Sequence, residues 1–270
     1  MTSPVNHTGR FPAVFLGHGS PMYAIEPNQH THAWEELGRA LPKPKAILSI
    51  SAHWLTRGVW VTAMDMPQTI HDFGGFPQAL FDQQYPAPGS KELAKRVVEL
   101  LAPKTKVTLE ENEWGLDHGT WSILKYLYPN ADIPVIQMSL DATLSDQGHF
   151  ELAKLLAPLR DEGVLIIASG NVVHNLRSVN WRDDASAHSW ATEFNDYFKK
   201  NLFERNFSAL VNWKDAGIAA QQSIPSPDHY WPILYTLGLI EPEDQIELIT
   251  DGIELGSISM LGFSISNEII

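Results

Sequence analysis

Short apolar segments that alternate with helix-like segments constrain the fold of this chain more than any other feature of its sequence. Residues 12–16, 46–50 and 164–168 are apolar runs of strand length, and each breaks into a polar turn. Apolar residues at helical spacing occupy stretches between them, for example over 91–102, where Ser90 is a suitable N-cap. Alternating strands and helices predict an α/β fold with a mostly parallel central sheet flanked by helices.

Two further segments give more specific predictions. Residues 56–85 carry several prolines and glycines, so they are predicted to form one long irregular loop that could line a pocket. Near the C-terminus, strand-like alternation over 247–265 surrounds Asp251-Gly252, a pair typical of a tight hairpin turn. No linker rich in serine, glycine or charge divides the chain, so a single domain over residues 1–270 is expected.

Composition narrows the class of function. The formal net charge of -13 argues against nucleic acid as a partner, because phosphate binding needs clustered lysine and arginine. No apolar stretch approaches the roughly 18 to 20 residues of a membrane span, and the first ten residues lack the apolar core of a secretion signal. The protein is therefore expected to be soluble and cytoplasmic. It contains no cysteine, so any metal ion has to be held by His, Asp or Glu.

Histidines follow three of the predicted strands. His18, His53 and His174 each lie just past the end of an apolar run. Because ligands of parallel sheets bind outside the carboxyl ends of the strands, these three side chains are expected to face one crevice. Neutral imidazole is the commonest metal ligand, and three or four such ligands with an open position describe a catalytic metal site. His118 and His229 lie in polar loops, each directly after an aspartate.

Each of these histidines also has a purely structural interpretation. His18 could be a turn residue between two glycines, and His53 could lie at the edge of the core. His118 could belong to a helix-capping loop and His174 to a hydrogen-bonded polar turn, while His229 follows no clear strand. Their joint occurrence favours a shared site. The other histidines are predicted to be mostly surface residues, of which the His71-Asp72 pair could line a pocket: His7, His30, His32, His71, His149 and His188.

Seven short motifs follow one another along almost the whole chain. They are GHGSP at 17–21, SAHW at 51–54, HDFGGFP at 71–77, YPAPG at 85–89, GLDHG at 115–119, GNVVHN at 170–175 and PDHY at 227–230. Together they resemble the motifs of the 4,5-DOPA extradiol dioxygenases, in the class III extradiol ring-cleavage family. The resemblance implies a non-haem site with one divalent ion, zinc or Fe(II), that opens catechols beside the diol with O2. DOPA is the named substrate of this branch.

The resemblance also implies a role for each histidine. His18, His53 and His229 correspond to metal ligands, and His174 to an acid/base histidine close enough to the metal to count as a fourth ligand. His118 corresponds to a second-sphere histidine of the pocket, and our hypothesis is that it donates a hydrogen bond or proton to the reduced oxygen. The wider class III family holds iron with two histidines and a glutamate, whereas this chain has His229 at the third position. Three or four imidazoles suit zinc at least as well as ferrous iron.

Two other classes of function stay open at this point. A zinc-dependent hydrolase would use the same ligands to activate water and would consume no oxygen. A non-catalytic protein on the same fold would bind a metal or a peptide without turnover, since fold does not fix function. The fingerprints of dinucleotide-binding, P-loop and α/β-hydrolase proteins are absent from the sequence.

Overall fold

The computed structural model describes residues 10–182 and 186–267, whose strands form one large and one small sheet. The strands are β1 (Ala13–Gly17), β2 (Ala46–Thr56), β3 (Val59–Thr62), β4 (Val107–Glu110), β5 (Val135–Asp141), β6 (Val164–Gly170), β7 (Gln245–Thr250), β8 (Ile253–Glu254), β9 (Ile258–Ser259) and β10 (Gly262–Ser266). The large sheet has the order β4-β3-β5-β2-β6-β1-β10-β7. Its four central strands, β5, β2, β6 and β1, are parallel, whereas β3 and β10 join them in antiparallel pairs.

Helices cover both faces of this sheet. They are α1 (Gln29–Ala40), α2 (Gln78–Phe81), α3 (Lys91–Leu101), α4 (His118–Leu127), α5 (Asp146–Lys154), α6 (Pro158–Asp161), α7 (Ser189–Phe203), α8 (Phe207–Val211), α9 (Ile218–Ser223) and α10 (Trp231–Gly238). Helices α1 and α4 pack on one face, while α3, α5, α7 and α10 pack on the other. The predicted α/β fold, a mostly parallel sheet flanked by helices, is confirmed. Within the described ranges no helix has both the length and the apolar character needed to cross a membrane.

The central strands are buried on both faces, which explains their continuous apolar runs. In β1, Phe15 packs into the core beneath α7 and α10, whereas Val14 and Leu16 pack into the core beneath α1 and α4. Strand β6 alternates in the same way, with Ile166 on the first side and Ile167 on the second. A parallel sheet covered on both faces needs apolar side chains at every position, so such strands lack the alternation of a half-exposed strand.

Two local predictions are wrong. The segment 56–85 is not one irregular loop, because β3 and α2 lie within it. Strand β3 is fixed by its pairing with β4 and β5, which follow much later in the chain, and local patterns do not reveal such partners. The hairpin expected at Asp251-Gly252 is also absent from the described structure: β7 pairs with β10, and β8 pairs with β9.

The histidines expected at the surface do not all lie there. His30 and His149 are buried, and His7 lies outside the described residues. His149 belongs to α5, where its Nδ1 atom lies 3.1 Å from the hydroxyl of Tyr235 and its ring lies 4.7 Å from that of Trp231. The helical periodicity of α5 places His149 on the core side with Leu152 and Ala153, and the prediction overlooked this periodicity.

We expect His149 to make the stability of the fold depend on pH. Burial lowers the pKa of His149 to about 4, whereas an unfolded histidine has a pKa of about 6.5. The unfolded chain therefore binds a proton that the folded chain does not, so stability is lost as the pH falls from about 6.5 towards 4. In His149→Gln, the loss of unfolding free energy between pH 7 and pH 5 should be smaller by roughly 2 kcal/mol.

Urea denaturation at the two pH values measures this difference. The matched control is His32→Gln, because His32 is exposed on α1 and should leave the pH dependence unchanged. An identical pH dependence in wild type and His149→Gln would contradict the prediction.

Candidate metal centre

Five histidines converge at the carboxyl edge of the parallel strands. His18 directly follows β1, and His174 lies in the loop after β6. His118 is the first residue of α4, and His229 lies just before α10. His53 belongs to β2 itself. The structure therefore brings all four predicted metal ligands together with His118.

His53 reaches the site from within a strand, so the prediction that it lies past a strand end is wrong. The apolar run ends at Ile50, but β2 continues to Thr56. The pairing of β2 with β5 shifts its register between Ile50 and Leu55. A bulge of this kind changes the direction of side chains locally, which explains how a residue of a central strand can face the site.

His229 follows no strand, and its position depends on a glycine. Gly170, the last residue of β6, approaches the His229 backbone so closely that a Cβ atom there would lie 2.2 Å from the carbonyl oxygen. The backbone N–H of Asn171 donates to this oxygen at 2.9 Å. Residue 170 therefore has to be glycine for His229 to sit beside the end of β6.

The imidazole rings form one cluster. The Nε2 atoms of His18 and His53 lie 3.1 Å apart. The ring of His53 has its centroid 4.0 Å from that of His118 and 5.0 Å from that of His229, and His174 stacks on His229 at 3.5 Å. Two sets of side chains hold candidate ligand atoms within 4.8 Å of one another: His18, His53 and His118, and His174, Asp228 and His229.

Two carboxylates contact three rings of the cluster and fix the protonation of two of them. Asp72 Oδ2 lies 2.9 Å from Nδ1 of His118 and 3.3 Å from Nδ1 of His53. Asp228 lies 2.5 Å from Nδ1 of His229. Burial opposes the ionisation of both carboxyl groups, but hydrogen bonds from the histidines lower their pKa values. Because an ionised carboxylate only accepts hydrogen bonds, Nδ1 of His118 and Nδ1 of His229 each carry the proton, and the Nε2 atoms of these two rings are free.

Ser169 fixes the protonation of His18. Its hydroxyl donates to the carbonyl of Gly119 at 2.6 Å, so its oxygen accepts from Nδ1 of His18, 2.9 Å away. Nε2 of His18 therefore carries a lone pair, and it faces Nε2 of His53 at 3.1 Å. Two nitrogens bound to one ion at about 2.1 Å are expected to be this close. The donor set thus fits a metal ion.

The surroundings keep three of the imidazoles neutral, those of His18, His53 and His174. Burial, together with the neighbouring His229, holds the pKa of His18 well below its usual value. Burial and His118 do the same for His53, and burial followed by His229 lowers the pKa of His174 to about 2. Neutral imidazoles offer lone pairs to a metal, so the cluster can bind one at neutral pH without first losing protons.

The histidines line a cavity of about 280 Å³ whose remaining wall is mostly apolar. Phe76, Val179 and Ile258 contribute to this wall. Leu176 and Trp181 also line it, although they are 64% and 75% exposed. A cavity of about 420 Å³ elsewhere, between α1 and the end of α4, has no histidine among its described lining residues. The histidine-lined cavity is therefore the candidate site.

Of the residues that hydrogen-bond to the site histidines, the sequence predicted some and missed others. The His71-Asp72 pair was expected to line a pocket, and Asp72 does contact two histidines of the site. His71 instead contacts the carbonyl of Gln83 through Nε2, at 2.9 Å. The contact of Ser169 with His18 joins residues 151 positions apart and was not predicted. The position of Ser169 next to the last residue of a strand was the signal that could have found it.

Known proteins resemble this chain over nearly its full length. The family model described as the catalytic LigB subunit of aromatic ring-opening dioxygenase matches residues 12–262. A protein of Escherichia coli K12 named 4,5-DOPA dioxygenase extradiol is 53% identical, covering 95% of each chain. One of the same name from Beta vulgaris is 37% identical, covering 91% of this chain and 92% of its own.

A solved structure agrees with these matches. The crystal structure of an uncharacterized protein from E. coli K12 superimposes with a TM-score of 0.84 at 48% identity, covering 95% of this chain and 100% of that one. These comparisons confirm the resemblance predicted from the motifs. The chain belongs to the family of catalytic LigB subunits of aromatic ring-opening dioxygenases.

Proposed function

We propose that this chain, acting as one catalytic domain, cleaves the ring of a catechol beside the diol, using O2 and one divalent metal ion. The observation that carries the proposal is the pair of imidazole Nε2 atoms that face each other at 3.1 Å in a member of a ring-opening family. The proposed substrate is L-DOPA and the proposed product is 4,5-seco-DOPA, because relatives at 53% and 37% identity carry DOPA in their names.

The proposed metal ligands are His18, His53 and His229, with His174 as a fourth ligand only while no catechol is bound. When bound, the ion lowers the pKa of the catechol hydroxyls and mediates electron transfer from the ring to O2. Imidazole ligands accommodate both zinc and Fe(II), and we propose Fe(II) as the ion that supports turnover because zinc has no redox chemistry. The reaction breaks one ring carbon–carbon bond, inserts both atoms of O2 and needs no external reductant, because the catechol supplies all four electrons.

Two histidines are proposed to move protons. His174 is neutral and lines the cavity, so it can accept the proton of a catechol hydroxyl when its lone pair is not bound to the metal. The negative charge of the substrate then favours the protonated ring. His118 also lines the cavity, and its Nδ1–H is held by Asp72, which leaves Nε2 free to take up a proton and donate it to an oxygen atom of the reacting O2.

Oxygen uptake tests the proposed reaction directly. The protein is stripped of metal with a chelator, loaded anaerobically with Fe(II) or zinc, and mixed with oxygenated L-DOPA or a simpler catechol. We expect iron-dependent uptake of one O2 per catechol with formation of a yellow ring-opened product. A higher kcat/KM for L-DOPA than for unsubstituted catechol is the result expected from the proposed substrate.

The contrary outcomes are distinct from one another. A lack of oxygen uptake with either metal, despite stoichiometric binding, would exclude the dioxygenase reaction under these conditions and favour a hydrolase or a non-catalytic binding protein. If oxygen uptake is more efficient with unsubstituted catechol than with L-DOPA, the proposed reaction stands but L-DOPA is not its substrate.

Trp181 is expected to contribute to substrate affinity. Its ring is 75% exposed at the cavity, so a bound catechol can cover apolar surface that is otherwise in water. In Trp181→Ala we expect KM to rise about tenfold while kcat stays within about twofold. The variant loses a contact that stabilises the bound substrate and the transition state equally, and it keeps the groups that react. Steady-state kinetics measure both constants. Ile218→Ala, which removes an exposed apolar side chain outside the cavity, is the control and should change neither constant.

A further inference from the structure

We infer that Asp72 is a positioning residue that fixes two rings of the site, those of His53 and His118, in the same tautomer. The inference rests on the proposed function, in which His53 binds the metal and His118 transfers a proton. Both roles need a free Nε2 atom, and both rings can have one only while an acceptor holds the proton on Nδ1.

The carboxylate of Asp72 is held in a defined orientation. Its Oδ1 atom accepts the backbone N–H of His118 at 2.9 Å, at the first residue of α4. This anchors one oxygen to a helix N-terminus, where partial positive charge favours an anion. The Oδ2 atom then lies 2.9 Å from Nδ1 of His118 and 3.3 Å from Nδ1 of His53. Asp72 is only 12% exposed, so water competes little for these contacts.

Asp72 differs from the other acceptors of the cluster because it serves two rings. His18 has Ser169 as its acceptor and His229 has Asp228. The rings of His53 and His118, by contrast, lie 4.0 Å apart and share one oxygen atom. A substitution of Asp72 is therefore expected to affect both His53, the proposed metal ligand, and His118, the proposed proton-transfer group.

An amide in place of the carboxylate cannot satisfy this arrangement. If the amide NH2 of Asp72→Asn faces the rings, it meets two Nδ1 atoms that must then become acceptors, and their protons move to Nε2. If the amide oxygen faces the rings, the NH2 group faces the backbone N–H of His118, and two donors oppose each other. The first orientation blocks the Nε2 lone pairs of His53 and His118, and the second loosens the anchor that holds the oxygen in place.

Zinc affinity and the imidazole tautomers together test this inference. Competition with a chromophoric chelator is expected to give a zinc affinity 10- to 100-fold lower in Asp72→Asn than in wild type. The ¹H–¹⁵N spectrum of the zinc-loaded wild type is expected to show protons on Nδ1 of both His53 and His118. In the variant, at least one of these protons should move to Nε2 or exchange rapidly with water.

Two other variants serve as controls. Asp82→Asn makes the same chemical change at an exposed position ten residues further along the same segment, and should leave affinity and spectrum unchanged. Asp228→Asn removes the carboxylate beside His229, and is expected to lower zinc affinity while His53 and His118 keep their Nδ1 protons.

The wild-type spectrum keeps the test decisive even if Asp72→Asn does not fold. A His118 proton on Nε2 in the zinc-loaded wild type would overturn the inference. It would equally be overturned by a folded Asp72→Asn protein with wild-type zinc affinity and both Nδ1 protons in place. Absence of zinc binding by the wild type is a separate result, which would remove the proposed metal site and this inference with it.

Discussion

Replacement of His53 by alanine is expected to abolish stoichiometric metal binding and to lower ring-cleavage activity by at least about a thousandfold. The Nε2 atom of His53 faces that of His18 at 3.1 Å, and this pair is the strongest sign of a cation in the structure. Alanine removes one of the two facing nitrogens, and catalytic metal sites depend on about three protein ligands. Metal content after gel filtration and oxygen uptake with Fe(II) measure the two effects.

The variant should fold, because His53 is partly exposed and lines a cavity rather than the apolar core. His32→Ala is the matched control, since it deletes an exposed imidazole on α1 and should keep both metal and activity. Retention of one tightly bound ion per chain in His53→Ala would show that His53 is not a ligand.

The general position of the site followed from the sequence because it depends on strand ends. Apolar runs locate β1 and β6, and in a parallel sheet their carboxyl ends share one edge. This is sufficient to bring His18 and His174 together, as the structure has them. The same reasoning correctly placed His53 in the cluster but wrongly placed it after a strand. Strand β2 continues past its apolar run, with a shift of register, and His53 lies within it.

The remaining features depend on contacts between distant parts of the chain. His229 reaches the cluster through the close approach of its backbone to Gly170, 59 residues earlier. Strand β3 is defined by partners that follow much later in the chain. Strand β7 pairs with β10, and the paired strands β8 and β9 lie between these two in the sequence. Local sequence patterns do not reveal which distant strands pair. The strands on either side of Asp251-Gly252 were therefore wrongly expected to pair with each other.

Replacement of His118 is expected to separate turnover from metal binding. His118→Ala should retain one metal ion per chain while kcat falls about 100- to 10,000-fold, the usual contribution of a positioned acid/base group. The physical reason is that Nδ1 of His118 is bound to Asp72, so its Nε2 atom is the free proton acceptor in the cavity. His118→Gln, which keeps a donor towards Asp72 but cannot transfer a proton, should lose as much activity as His118→Ala.

This pair of variants distinguishes three roles for the ring, because His118 also lies close enough to His18 and His53 to be a ligand. If His118 binds the metal, both variants lose the ion along with activity. If it only supports the orientation of Asp72, the glutamine variant recovers most of the wild-type kcat. Proton transfer predicts retained metal, equal losses of kcat in both variants and an altered pH dependence of kcat, since a group that transfers a proton during the reaction has been removed.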